Sequence, residues 1–360
     1  MFVKTLAPRR ADGLGSGFDP KADQSGIVVG LVNIMPPAAM RTAESMFRRL
    51  LEGFGASAKI HLRVFTLQNN TSEPFRTSAV YESLDKLWDS PDSAYPLDAL
   101  IVTGTEARTD LMTDETCWPD LQRLCDWAAQ NTISTIWSCF SAHAAVLHMD
   151  NIRRQPLPEK LTGVFECQKA SSHPIFENMP ARWAVPHSRY NNLNEAELAA
   201  SGYEILSRSP SVGADTFIKQ HGNSQFLFLQ GHLEYGAEQL FSEYCRDSKR
   251  YSQGQRSTPP KLPENYLDQT SMTALATLQA SIPSSPAASS QADFAKALAG
   301  HLNIDWQAPA QQLFTSWLSY IAEQKSPDLA EQPDASFPPA YASAFRDLGS
   351  SDIPEYIAPS

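Results

Sequence analysis

The segment STIWSCFSAHAAVLHM (134–149) constrains this chain more than any other. It starts as a β-branched strand, turns at Cys139 and continues as an Ala-rich helix. A strand that turns directly into a helix belongs to an α/β chain, and the side chain at such a turn is lifted clear of the sheet. A cysteine there has two readings. It can be a nucleophile set on a helix N-terminus, or a small apolar residue packed at a strand end. Position alone does not separate them.

The rest of the chain repeats the alternation. GIVVGLVNIM (26–35) is a β-branched apolar run that stops at Pro36 and Pro37, and reads as a buried strand of parallel type. From Arg41 to Phe54 the apolar residues Met46, Phe47, Leu50 and Leu51 fall at helical spacing. HLRVFTL (61–67) and LDALIVTGTEA (97–107) read as strands, and Trp118 to Gln130 as a helix. In the second half FLFLQGHLEYG (226–236) opens with an apolar strand, followed by a helix from Ala237 to Arg246, and LFTSWLSYIAEQ (313–324) is helical again. The predicted fold is α/β, with a mostly parallel sheet flanked by helices. Residues 1–25 read as an irregular arm and 326–360 as an irregular tail. Between them, 26–325 form one domain with a Ser-, Pro- and Gln-rich insertion over 252–305.

A net charge of −11 gives no electrostatic footprint for nucleic acid or an anionic membrane. No run of 18 apolar residues occurs and the N-terminus lacks a signal core, so the expectation is a cytoplasmic protein without membrane or nucleic-acid partners. The five cysteines are odd in number and scattered, with no CxxC pair, which argues against a disulfide framework or a zinc site.

The second half favours the nucleophile reading of Cys139. QGHLEYG places His232 after an apolar strand with Glu234 two residues on, so imidazole and carboxylate can share a side. Thiol, imidazole and carboxylate form a complete set for acyl transfer. TGT (103–105) at another strand end suits a backbone oxyanion loop of Gly104 and Thr105, joined by Phe140 at the elbow; as an ordinary β-to-α turn it reads equally well.

A cysteine elbow followed by GHxE resembles the class I glutamine amidotransferase-like fold. Seven segments together resemble, more narrowly, the homoserine O-succinyltransferase and O-acetyltransferase family: VNIMP (32–36), DALIVTG (98–104), EKLTGVFE (159–166), VPHSRY (185–190), GHLEY (231–235), YCRD (244–247) and LFTSWLSY (313–320). The resemblance implies that Cys139 carries an acyl thioester, that His232 is the general base and that Glu234 is its partner. It implies substrate contacts from Lys160, Ser188 and Arg246, the last holding an amino-acid carboxylate. It also implies ping-pong transfer from an acyl-coenzyme A to homoserine in methionine biosynthesis, with no bound cofactor or metal, and a homodimer.

Three departures qualify the resemblance. The family's lysine after the first Met-Pro is missing, with Arg41 the nearest basic residue. The residue after the cysteine is Phe140 rather than Trp, and His143 follows one helical turn later, where it reads as a packed or solvent-facing histidine. The position tied to acyl choice falls on Arg108, neither Gly nor Glu; an arginine there favours a succinyl over an acetyl donor. A paralogue with another acceptor such as serine, a glutaminase-type hydrolase of the same fold and a silent binding module are the alternatives.

Overall fold

The computed structural model of the chain describes residues 4–5, 26–54, 59–67, 81–88, 96–268, 273 and 302–325. The expected tail, 326–360, lies outside them, as does most of the expected insertion.

Among the described residues eleven strands form one sheet in the order β1-β3-β2-β5-β6-β11-β10-β9-β7-β8, with β4 beside β3. The strands are β1 (Lys4–Thr5), β2 (Ile27–Asn33), β3 (Ile60–Thr66), β4 (Tyr81–Ser83), β5 (Ala99–Val102), β6 (Ser134–Ser138), β7 (Gln155–Lys169), β8 (Arg182–Asn192), β9 (Glu204–Ser209), β10 (Gly213–His221) and β11 (Ser224–Leu229). The strands from β1 to β6 and β11 pair in parallel, whereas β11-β10-β9-β7-β8 pair antiparallel. The sheet is therefore mixed, and its antiparallel half was not read from the sequence. The arm expected to be irregular contributes β1, two residues paired with β3.

Alternation along the parallel strands decides what covers each face. Val29, Leu31, Ile101, Ile136, Leu227 and Leu229 point to one side, where α1 (Pro37–Glu52) and α7 (Gln307–Lys325) pack. Val32, Leu100, Val102, Trp137, Phe226 and Phe228 point to the other, against α3 (Trp118–Asn131) and α4 (Phe140–Asp150). The short helices α2 (Asp85–Trp88) and α5 (Glu195–Ala200) lie on this second side. Helix α7 buries Leu313, Phe314, Trp317, Leu318 and Ile321 completely, each worth about 1.5–3 kcal/mol of transfer free energy. Trp317 Nε1–H donates to Ser134 Oγ at 2.9 Å, which ties α7 to the start of β6.

Helix α6 (Gln239–Ser252) covers the β7–β8 hairpin. A third apolar cluster lies under it, made of Val164, Tyr235, Leu240, Phe241, Tyr266 and Trp306. Tyr266 and Trp306 bracket the undescribed part of the predicted insertion and are both fully buried. Glu264 bridges to Gly163 of β7, whose φ of 149° and whose contact with the Glu264 backbone leave no room for a side chain.

Candidate active site

The register of three neighbouring parallel strands builds the site. Leu229 at the end of β11 is paired with Ser138 at the end of β6, and Val102 at the end of β5 with Trp137. The loop after β5, the elbow after β6 and the Gln230–Glu234 segment after β11 thus leave the sheet side by side at its carboxyl edge, where open α/β sheets place their ligands.

Cys139 turns the chain with φ 48° and ψ −108°, a conformation that costs an L-residue about 1–3 kcal/mol. Its surroundings hold it there. Its N–H donates to Leu229 O at 2.7 Å. Ser141 Oγ accepts from Ser138 N–H at 3.0 Å and lies 2.9 Å from Val102 O, tying elbow to β5. The partly exposed thiol sits at the N-terminus of α4, whose unpaired N–H groups face developing negative charge. Gly104 lies directly against the elbow: a Cβ on it would stand 3.2 Å from Ser138 O, 3.3 Å from Cys139 Cβ and 3.5 Å from Phe140 N. Gly104 and Phe140 therefore lie beside Cys139, and Thr105 follows Gly104 in the same loop.

His232 completes the centre. Its Nδ1–H donates to Glu234 Oε1 at 2.8 Å, and its ring is hydrogen-bonded to Cys139. Its backbone N–H donates to Pro186 O in β8 at 2.7 Å. Burial opposes a charge on His232, but Cys139 and Glu234 overcome it and hold the ring's pKa well above 6.5. Arg49 of α1 donates to the carbonyls of Glu234 and Tyr235, both at 3.2 Å, so a guanidinium braces this loop from behind.

The three predicted substrate residues converge on two acids that the sequence reading missed. Lys160 Nζ donates to Glu243 Oε2 at 3.2 Å and to Asp247 Oδ2 at 2.9 Å. Ser188 Oγ donates to Glu243 Oε2. Arg246, part exposed, donates to Asp247 Oδ1 from Nε at 3.1 Å and from Nη2 at 3.0 Å. Burial raises the Glu243 carboxyl pKa, but Lys160, Ser188 and Tyr235 outweigh it and keep it below its usual value. Arg108 stands apart from this cluster. Its side chain is exposed and lines a cavity with Ile34, Leu67, Thr105, Glu106 and Cys117, while its N–H donates to the buried Glu115 at 2.7 Å.

Beneath the centre lies a buried polar network. His143 is packed rather than solvent-facing, with Nε2 2.9 Å from Gln230 Oε1. Gln230 Nε2 donates to Ala214 O at 2.6 Å. Arg189 Nε donates to His187 Nδ1 at 3.3 Å, and His187 Nε2 stands 3.3 Å from Asp215 Oδ1. Cys167, His187 and Asp215 offer ligand atoms within 4.8 Å of one another. Asp215 Oδ2 already accepts from Ser207 and Thr216, and the guanidinium against His187 disfavours a metal ion between them.

Burial lowers the pKa of His187 to about 4 and of His143 to about 3. Both rings stay neutral in the fold, whereas near their usual 6.5 the unfolded chain takes up protons. Stability is therefore expected to fall as pH drops from about 6.5 toward 4. His232, whose pKa is raised in the fold by Cys139 and Glu234, contributes stability that grows as pH falls to about 6.5 and is complete below it, so it does not offset the loss toward pH 4. Thermal melts followed by circular dichroism between pH 7 and pH 4.5 check it; a flat profile would mean that both rings ionise within the fold.

A thiol on a strand-to-helix elbow, with imidazole and carboxylate from the loop after the next parallel strand, defines the class: an α/β protein with a Cys–His–Glu set at a nucleophile elbow. Among solved structures, a glutamine amidotransferase from Thermotoga maritima aligns over 82% of this chain and 98% of its own, at 12% identity and a TM-score of 0.46. One from Methylobacillus flagellatus aligns over 82% and 95%, at 13% identity and a TM-score of 0.44. The sequence matches are narrower. A family profile described as homoserine O-succinyltransferase matches residues 19–328. Proteins of that name are 39% identical in Methylorubrum extorquens, over 85% of this chain and 90% of the relative, and 42% identical in Rhodopseudomonas palustris, over 73% and 78%. A third, from Bradyrhizobium japonicum, is 39% identical over 86% and 94%. The chain belongs to the homoserine O-succinyltransferase family, a family of acyltransferases. No helix among the described residues is long and apolar enough to cross a membrane.

Proposed function

We propose that this chain moves a succinyl group from succinyl-coenzyme A to the hydroxyl of homoserine, in methionine biosynthesis, through a thioester on Cys139. The observation that carries the reading is a single juxtaposition. The Cys139–His232–Glu234 set abuts a cluster with both charges needed to hold an amino acid, Arg246 for its carboxylate and Glu243 for its ammonium.

In the first half-reaction His232 takes the thiol proton and the Cys139 sulfur attacks the donor's thioester carbonyl. Coenzyme A leaves as the carbon–sulfur bond to it breaks, and takes the proton from His232. In the second, His232 takes the proton of the acceptor hydroxyl as that oxygen attacks the new thioester, and returns it to the departing Cys139 sulfur. The backbone N–H groups around Gly104, Thr105 and Phe140 face the oxyanion in both halves. Glu234 keeps the imidazole in one tautomer and stabilises its charged form.

Intact mass after incubation with succinyl-coenzyme A alone tests this. The expected result is one added succinyl group, discharged by homoserine; serine and acetyl-coenzyme A serve as competing acceptor and donor. No adduct with either donor would sink the thioester route. On this reading Arg108 faces the far carboxylate of the donor's acyl group. Arg108→Gly is then expected to lower the kcat/KM ratio of succinyl- to acetyl-coenzyme A about tenfold or more, the scale of one charge-assisted hydrogen bond. An unchanged ratio would place Arg108 away from the acyl group.

A further inference from the structure

Tyr235 bridges the reacting centre and the acceptor cluster. Its ring is stacked on the His232 imidazole, with centroids 4.3 Å apart and planes 19° from parallel. Its hydroxyl donates to Glu243 Oε1 at 2.5 Å. The other oxygen of the same carboxylate takes Lys160 and Ser188. One buried side chain thus touches the base with its face and the acceptor carboxylate with its tip.

Its own placement is fixed from three sides. The Tyr235 N–H donates to His232 O at 3.1 Å, and its carbonyl accepts from Trp306 Nε1 at 3.0 Å and from Arg49 Nη2 at 3.2 Å. Trp306 belongs to the buried cluster under α6. The ring therefore cannot slide without moving the loop, and α6 cannot shift without pulling on the phenol. Burial, then Glu243 and Glu234, raise the phenol pKa well above 10, so the hydroxyl remains a donor.

We propose that Tyr235 is a positioning residue for the second half-reaction: it fixes Glu243, and so the acceptor's ammonium, at a set distance from the His232 imidazole. The acceptor hydroxyl must meet both the imidazole and the thioester carbon, and misplacement of about 1 Å at such a step costs about 10²-fold. Acylation needs no contact with Glu243, so the tip of Tyr235 bears mainly on transfer. The inference rests on the acyl-transfer reading above.

The test separates the half-reactions in the full chain. Coenzyme A released in a burst from succinyl-coenzyme A alone reads acylation; homoserine-dependent loss of the adduct reads transfer. Tyr235→Phe keeps the ring and removes the hydroxyl. The expected result is a transfer rate constant over KM for homoserine that falls about tenfold further than the acylation rate. Tyr235→Leu removes the ring as well and is expected to slow acylation too. The acylation burst of Tyr235→Phe, with its melting temperature, reports whether the site is still folded. Equal losses in both half-reactions would reduce Tyr235 to a structural support, and no loss in either would leave the hydroxyl without a role; each overturns the inference. A wild-type chain that forms no adduct would overturn the acyl-transfer reading itself, and this inference with it.

Discussion

Cys139→Ala is expected to abolish the covalent adduct and to lower turnover of succinyl-coenzyme A with homoserine by about a thousandfold or more, with little change in melting temperature. The kinetic loss follows from removing the nucleophile, since the other members of such a set act only through it. The fold should persist because the contacts that hold the elbow do not use the sulfur. They are the Cys139 N–H on Leu229 O and the Ser141 hydroxyl between Ser138 and Val102, and all remain in the alanine variant. Alanine also tolerates φ 48° about as well as cysteine, both being L-residues that are not branched at Cβ. Intact mass and steady-state rates, read beside a thermal melt, check the claim. An alanine variant that still carries the succinyl group would move the nucleophile elsewhere in the chain.

The parts of this site that were legible in the sequence are those set by local chain direction. The elbow could be read because strand, cysteine and helix are contiguous. The His232–Glu234 pair could be read because its spacing is short, although these residues act from a loop just past β11 rather than from the strand itself. That Cys139 and His232 meet depends on β11 pairing with β6, and nothing in either segment states that pairing. The hairpin strands β7 to β10 were illegible for a related reason. The first stretch of β7 carries exposed residues and two prolines, Pro156 and Pro158, so its alternation is weak until Thr162.

Glu243 and Asp247 were hidden differently. An acid pair four residues apart on a helix, beside Arg246 and Lys249, looks like a solvated face. It is buried because the β7–β8 hairpin brings Lys160 and Ser188 up against it. Tyr266 and Trp306 escaped notice because they flank a Ser- and Pro-rich stretch, where composition outweighs single aromatics. A family resemblance could supply Lys160, Ser188 and Arg246, but not what holds them in place.

Gly231→Ala is expected to cost about 1–3 kcal/mol of stability and about a hundredfold in acylation rate. A methyl at Gly231 would fall 2.3 Å from Val185 Cγ1, 2.8 Å from Asp215 Oδ1 and 3.2 Å from His187 Cε1. None of the three can retreat, since Val185, Asp215 and His187 are all essentially without solvent exposure. The strain must then be relieved by moving the segment that carries the methyl. That segment is anchored on both sides of Gly231, by Gln230 on His143 and Ala214 and by the His232 N–H on Pro186 O. Lifting it lengthens the second anchor and swings the imidazole away from Cys139, which is why activity should suffer more than the melting temperature suggests. Gly236→Ala is the control, five residues on in the same loop, because a methyl there meets nothing within 4 Å. If both variants acylate at the wild-type rate, the close packing of Gly231 on β8 does not set the position of His232. A loss confined to Gly231→Ala would place the alignment of the base in the depth of the sheet edge as much as in the Glu234 carboxylate.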